Sequence, residues 1–215
     1  MPDHEREDRF ATRAPDRQDR RDRGPVPGMT DRSLAIRWQS PADGGLEHCV
    51  LKIADTGITA EGVVIGGRGE QGYGLRYRVT ADADWAALRS IHLTLLGGPT
   101  LALRHDGFGE WTDGAGAKRK EFAGLLDVDL GATPLGLIAT LKRQTWKTGR
   151  TQEIDTLVLA VPEMTLERRR VAYLCLEPGR HYRVGEADIR LDPDGLLAAW
   201  AGRLDRIADP AEATA

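Results

Sequence analysis

Polar and apolar residues alternate along most of the chain after residue 33, and a period of two predicts β-strands. The alternation is clearest in residues 71–80, where aromatic and aliphatic side chains are separated by arginine, glycine and threonine. It recurs in residues 88–95, with a slip of phase near Arg89, and again in residues 187–192. One apolar face and one polar face per strand are typical of an antiparallel sheet that is solvated on one side.

Two further segments predict central strands, and few segments predict helices. Residues 154–161 and 171–176 are apolar on both sides of the chain, which is typical of fully buried strands. Turn-forming dipeptides separate the alternating runs: Asp106-Gly107, Asp113-Gly114 and Asp194-Gly195. One helical turn is predicted over residues 84–89 and another within residues 131–141. The pattern as a whole therefore predicts an all-β fold with few helical turns.

The first 29 residues differ from the rest because charged residues dominate them. Seven acidic residues and seven arginines are mixed in this segment, and Phe10 is its only aromatic residue. Such a composition buries too little apolar surface to offset the entropy lost on folding, so we expect residues 1–29 to be disordered. Met29, which follows a Gly-Pro-rich stretch, would serve as an alternative start of translation. We predict one β domain over residues 30–208 and a short tail at residues 209–215.

Composition and charge argue against several classes of protein. The formal net charge is -3, with 30 Lys and Arg against 33 Asp and Glu, so no basic surface for a nucleic-acid backbone is expected. No run of about 18 apolar residues predicts a membrane-spanning helix. Cys49 and Cys175 stand far apart and form no CxxC motif, so we expect two buried, reduced thiols. The charged N-terminus lacks the apolar core of a signal peptide, which favours a cytoplasmic location.

Short motifs resemble cofactor or metal sites, but their context favours structural roles. The GxGxxG match at residues 67–72 leads into an alternating strand rather than a helix, so we interpret it as a hairpin loop. Asp127 and Asp129 would share one face of a strand, yet no further metal ligand lies at a supporting spacing. The five histidines form no HxH or HExxH pair. We therefore predict no cofactor and no metal.

Sequence evidence for catalysis is confined to a few side chains. Serine is rare and no GxSxG motif occurs, which argues against a serine nucleophile. Glu47 and His48 form either an acid–base pair or a polar pair at the start of a strand, and the sequence leaves both interpretations open. The tryptophans and tyrosines likewise fit either a packed core or the walls of a cleft for an amphipathic ligand.

Several motifs follow one another in a fixed order along the predicted β domain. They are Trp38, Glu47-His48-Cys49, Gly72-Tyr73-Gly74-Leu75-Arg76-Tyr77, Trp85, Asp106 to Gly114, Gly124 to Leu130, Thr133-Pro134, Pro162-Glu163-Met164, Tyr173 and Asp192 to Leu196. This ordered series resembles the glycolipid-binding family of bacterial and fungal proteins, a domain of unknown function. The chain departs from the family pattern at residues 135–140, where a Phe-Thr-Asn-like stretch is expected, and at residues 168–172.

The resemblance implies a large, curved antiparallel sheet, half-barrel-like and similar to bacterial lipoprotein and lipid carriers. The concave side of such a sheet would take up a lipid-like ligand. For the family this role follows from similarity of fold, so no catalytic residue is carried over to this chain. On physical grounds, a curved sheet with few helices either closes around its own core or leaves an apolar concavity for a ligand.

We therefore predict a soluble, non-enzymatic binding protein for a small amphipathic ligand, with a glycolipid as the specific expectation. The predicted ligand-binding residues are Trp38, Glu47, His48, Arg76, Trp111, Asp127, Asp129 and Tyr173. Aromatic rings would stack on sugar or acyl surface, and Arg76 would meet an anionic head group. The acidic residues and His48 would form hydrogen bonds with hydroxyl groups.

Two alternatives stay open on the sequence. The first is an enzyme that acts on a glycoconjugate or a lipid-like metabolite, with Glu47, His48, Asp127 and Asp129 as acid–base groups. The second is a structural or interaction domain whose core is filled by its own side chains. An exposed edge strand would also allow two copies to pair as a homodimer.

Overall fold

The computed structural model describes residues 31–208, which form one sheet of fourteen strands and one α-helix. In chain order the strands are β1 (Arg32–Gln39), β2 (Leu46–Ala54), β3 (Gly57–Gly66), β4 (Tyr73–Ala81), β5 (Leu88–Leu95), β6 (Thr100–His105), β7 (Trp111–Asp113), β8 (Asp127–Asp129), β9 (Thr151–Ala160), β10 (Thr165–Glu177), β11 (His181–Val184), β12 (Ala187–Leu191), β13 (Leu197–Trp200) and β14 (Leu204–Arg206). The helix α1 is Leu135–Arg143, and two 3-10 turns cover Gly69–Gln71 and Lys120–Phe122. The predicted tails, 1–29 and 209–215, lie outside the described residues.

The strands form two meanders that join side by side. The first runs from β1 to β7 and the second from β9 to β14, and pairing of β1 with β14 unites them. Neighbouring strands are antiparallel except β8 and β9, which are parallel and are connected through α1, as a parallel pair requires a crossover. The three-residue strands β7 and β8 are the two edges of the sheet.

The two edges of the sheet approach each other, so the sheet is strongly curved. The Gly124 N–H donates to the Gly109 carbonyl oxygen at 2.9 Å, and the Trp111 indole N–H donates to the Leu125 carbonyl oxygen at 2.9 Å. These contacts join β7 to the residues that precede β8. A Cβ atom at position 109 would lie 2.8 Å from the Gly124 Cα atom, so this approach depends on Gly109 having no side chain.

Side chains of the sheet and of helix α1 fill the inner space of the curved sheet. One hydrophobic cluster contains core residues of both meanders together with residues of α1. Leu135 and Ile138 of α1 are fully buried, and every residue from Leu135 to Leu141 is buried. Such burial is expected for a helix that is surrounded by the core on all sides. At the end of the helix the Lys142 ammonium group donates to the Asp194 carbonyl oxygen at 2.8 Å.

The structure confirms the predicted fold class, an all-β chain with a curved, mainly antiparallel sheet. Strand β5 spans the predicted residues 88–95, and the slip of phase near Arg89 is a β-bulge where β4 and β5 shift register. Residues 67–72 connect β3 to β4, which pair as a hairpin. Residues 84–87 form a turn without a helix. Within residues 31–208, no helix is long and apolar enough to cross a bilayer.

Candidate ligand-binding cleft

A cleft of about 240 Å³ opens at the end of the sheet where β2 begins and β3 ends. The segment between β8 and α1 and the turn between β13 and β14 complete its walls. Its polar and aromatic lining includes Ser40, Asp43, Glu47, Tyr73, Asp129, Thr133, Trp200 and Arg203. We call it the Glu47 cleft, because the most unusual of these side chains is Glu47.

Glu47 is a buried carboxyl group that uses only one of its two oxygens inside the protein. It lies on the core face of β2 and is 3% exposed. The Tyr77 hydroxyl donates to Glu47 Oε1 at 2.5 Å, and the Thr133 hydroxyl donates to the same oxygen at 2.7 Å. Glu47 Oε2 is buried and has no hydrogen-bond partner among residues 31–208. A buried polar atom without a partner is unusual in proteins and calls for an explanation.

The environment of Glu47 favours the neutral acid. Burial raises its pKa from 4.5 to about 7, while the hydrogen bonds from Tyr77 and Thr133 oppose this rise. Since Oε1 accepts both of these bonds, the proton of the neutral acid is best placed on Oε2. Near neutral pH the Glu47 carboxyl can therefore donate a hydrogen bond from Oε2 when protonated and accept one when ionised.

Trp200 also lines this cleft, and it too has a buried polar atom without a partner. The side chain is 8% exposed, and its indole Nε1 has no hydrogen-bond acceptor among the described residues. The indoles of Trp38 and Trp111, in contrast, donate to the carbonyl oxygens of Leu197 and Leu125 at 3.0 and 2.9 Å. The Arg203 guanidinium carbon lies 4.3 Å from the centre of the Trp200 ring, an arrangement typical of a cation–π contact.

The rim of the cleft combines polar and apolar groups. Tyr73 is half-buried, and burial raises the pKa of its hydroxyl. One carboxylate oxygen of Asp129 accepts a hydrogen bond from the Gly131 N–H at 2.9 Å. Leu46 and Ile65 also line the cleft, with 51% and 66% of their surfaces exposed. The cleft thus has the buried Glu47 as its polar floor and the exposed Leu46 and Ile65 as an apolar lip.

The sequence-predicted site residues are distributed over three places in the structure. Glu47 and Asp129 line the Glu47 cleft. Trp38, Trp111 and Tyr173 are buried in the hydrophobic cluster. Asp127 is buried as well and forms an ion pair with Arg143, whose Nε lies 3.2 Å from Asp127 Oδ1. His48 and Arg76 are exposed on the opposite face of the sheet.

The acid–base set of the enzyme alternative is not assembled in one pocket. His48 follows Glu47 directly in β2, and successive side chains of a strand point to opposite faces. Asp127 forms an ion pair with Arg143 and does not line the Glu47 cleft. Of the predicted acidic residues, Glu47 and Asp129 line this cleft together. Within residues 31–208, no three His, Cys, Asp or Glu side chains come together as metal ligands.

Comparison with known proteins identifies the family. The sequence profile of the family described as "Putative glycolipid-binding" matches residues 35–206. The chain belongs to this family. A crystal structure of a DUF1089 family protein from Pseudomonas aeruginosa is similar, with a TM-score of 0.66 and 29% sequence identity over 79% of this chain and 95% of that one. A search of curated protein sequences finds no match.

The matched region of this glycolipid-binding family member contains the whole Glu47 cleft, including residues that the sequence did not single out. Tyr73 and Trp200 belong to a set of aromatic residues spread over most strands, and the sequence does not say which of them meet. Thr133 is part of a Thr-Pro motif of the resemblance, which is the one signal that could have identified it. Arg203 carries no signal, since arginine is frequent throughout the chain.

Proposed function

We propose that this protein binds a glycolipid-like amphipathic ligand without transforming it, and that the sugar of this ligand enters the Glu47 cleft. The observation that carries the proposal is that Glu47 and Trp200 line one cleft and that each has a buried polar atom without a partner, Oε2 and Nε1. A buried polar atom that lacks a partner costs about 1–3 kcal/mol. A ligand that supplies hydrogen bonds to both atoms would remove this cost.

A sugar matches the chemistry of the cleft. Each hydroxyl group of a sugar both donates and accepts hydrogen bonds, so it suits a carboxyl oxygen as well as an indole N–H. The rings of Tyr73 and Trp200 offer flat apolar surface for the faces of a sugar ring. The volume of about 240 Å³ suits a single sugar ring better than a long oligosaccharide.

We propose that the apolar part of the ligand lies at the lip of the cleft. Residues of α1 fill the inner space of the sheet, so an acyl chain has more room outside than inside. Leu46 and Ile65 lie at the lip and are largely exposed, which provides apolar surface next to the sugar site. The family described as glycolipid-binding agrees with this division of a ligand into a sugar and a lipid part.

Binding of an alkyl glycoside tests the proposal. In calorimetric titrations with octyl glucoside below its micelle concentration, we expect Glu47→Ala to weaken binding about tenfold or more, because a buried hydrogen bond is lost. Glu47→Gln keeps a carbonyl for Tyr77 and Thr133 and an N–H donor for the ligand, so its affinity should stay within about threefold of the original. Glu186→Ala, which removes an exposed glutamate of the β11–β12 turn, is the matched control.

Three results would contradict the proposal. Absence of binding to the unaltered protein would favour the alternative of an interaction domain with a filled core. Equal affinities of Glu47→Ala and Glu186→Ala would place any sugar site elsewhere. Release of glucose during the titration would favour the enzyme over the binding protein.

A further inference from the structure

Exposed apolar side chains are concentrated on one part of the outer face of the sheet. Five large hydrophobic residues are exposed among residues 31–208, and four of them, Leu46, Val63, Ile65 and Leu96, lie at the ends of β2, β3 and β5. Leu46 pairs with Ile65 across the strands, and Ile65 pairs with Gly74. The Leu96 N–H donates to the Gly74 carbonyl oxygen at 2.8 Å, so Leu46, Ile65, Gly74 and Leu96 follow one another across neighbouring strands. We call these four residues the apolar tip.

A cationic groove of about 930 Å³ adjoins the apolar tip on the same face. Its charged residues and histidines are His48, Glu61, Arg76, Arg78, His92 and Arg104. Arg78 forms an ion pair with Glu61. Within the described part of the chain, Arg76 and Arg104 have no carboxylate at ion-pair distance, so two guanidinium groups are available to an external anion.

The strand register brings the tip and the groove into contact. Val63 of the tip pairs with His48 on one side and with Arg76 on the other. Arg76 in turn pairs with Thr94, two residues before Leu96. Residues paired across strands lie about 5 Å apart, so guanidinium groups border directly on exposed aliphatic side chains. This surface is amphipathic, with apolar groups at its end and positive charge beside them.

We infer that this face, the apolar tip together with the cationic groove, docks onto a bilayer surface that contains anionic phospholipids. Exposed aliphatic side chains enter the boundary between head groups and acyl chains, while arginine binds lipid phosphates. Bidentate pairing of guanidinium with phosphate strengthens such contacts. A second copy of the chain is a poorer occupant, because symmetric pairing of this face would bring Arg76 and Arg104 against the same cationic groove of the partner.

Docking by this face would bring the Glu47 cleft to the membrane. Leu46 and Ile65 belong to the apolar tip and also line the cleft, so insertion of the tip places the cleft opening at the bilayer surface. This consequence rests on the proposed function. The docking itself does not, since it uses the outer face and requires no sugar.

Sedimentation with lipid vesicles tests the inference on the full chain. We expect binding to vesicles of phosphatidylcholine mixed with phosphatidylglycerol, weaker binding in high salt, and little binding to phosphatidylcholine alone. Arg76→Glu and the double variant Ile65→Ser/Leu96→Ser should each weaken binding about tenfold. The matched controls are Arg190→Glu, an exposed arginine of β12, and Phe108→Ser, the fifth exposed hydrophobic residue. Both controls should bind like the unaltered chain.

The vesicles contain no glycolipid, so the inference and the proposed function can fail separately. Glu47→Ala should bind these vesicles as the unaltered protein does. Failure of the unaltered chain to bind anionic vesicles, or equal weakening by the tip variants and their controls, would overturn the inference. A dimer in size-exclusion chromatography that Ile65→Ser/Leu96→Ser converts to a monomer would also overturn it, because a second copy would then cover the tip.

Discussion

We expect the ionisation of Glu47 to lower the free energy of unfolding by about 3 kcal/mol as the pH rises from about 4 to about 8, and Glu47→Gln to remove this contribution. Burial raises the pKa of Glu47 in the folded chain from 4.5 to about 7. Below the unfolded pKa the carboxyl is protonated in both states and the stability is fully present. Between the two values only the unfolded chain ionises, so stability is lost progressively. Above pH 7 both states are ionised and the loss is complete.

Urea unfolding at several pH values measures this effect, and the difference between the unaltered chain and Glu47→Gln isolates the contribution of one carboxyl. Cys49 and Tyr77, which lie beside Glu47, titrate above this range, because burial raises the pKa of Cys49 to about 12 and also raises that of Tyr77. Parallel pH profiles of the two proteins would show that Glu47 ionises normally in the folded chain. The floor of the cleft would then carry an ionised carboxylate at neutral pH and not a neutral acid.

Gly136→Ala should destabilise the protein by about 3 kcal/mol or more, although alanine is the better helix former by about 1 kcal/mol. A Cβ atom at position 136 would lie 2.0 Å from the Val128 carbonyl oxygen. Both atoms belong to regular elements, α1 and β8, so the clash cannot be relieved by rotating a side chain. The helix would have to move away from the sheet whose inner space it occupies.

Gly74→Ala is the matched control for Gly136→Ala. A Cβ atom at position 74 would be 3.4 Å from the Leu96 Cβ atom, which is an ordinary contact, so the change in unfolding free energy should stay within about 0.5 kcal/mol. Denaturant unfolding of both variants under identical conditions gives the comparison. Equal stabilities of the two variants would contradict the close packing of α1 on β8.

The alternating segments predicted strands because one exposed and one buried face leave a period of two in the sequence, whereas the prediction that residues 171–176 are buried on both faces is wrong, since Ala172 is exposed. Residues 88–95 alternate in polarity, and even the bulge at Arg89 is visible as a slip of phase. Helix α1 was harder to place, since Leu135 to Leu141 are buried on all sides and a fully buried helix has no polar face to set its period. Residues 131–141 were predicted to hold a helix, and it begins at Leu135.

The cleft was less predictable than the fold, because its residues meet only through the pairing of distant strands. Glu47 and Trp200 lie near opposite ends of the described chain and come together where β1 pairs with β14. The alternation of side chains along a strand does show that Glu47 and His48, as neighbours in the sequence, face opposite sides of β2. It does not show that the N–H groups of Trp38 and Trp111 have carbonyl partners while that of Trp200 has none.

The indole N–H of Trp200 is expected to report whether a sugar enters the Glu47 cleft. In a proton–nitrogen correlation spectrum, with the Trp200 signal assigned by Trp200→Phe, titration with octyl glucoside should shift this signal and leave those of Trp38 and Trp111 in place. We predict this selectivity because the latter two already donate to protein carbonyl groups. A Trp200 signal that stays unchanged at saturating glycoside would contradict the entry of a sugar into the cleft.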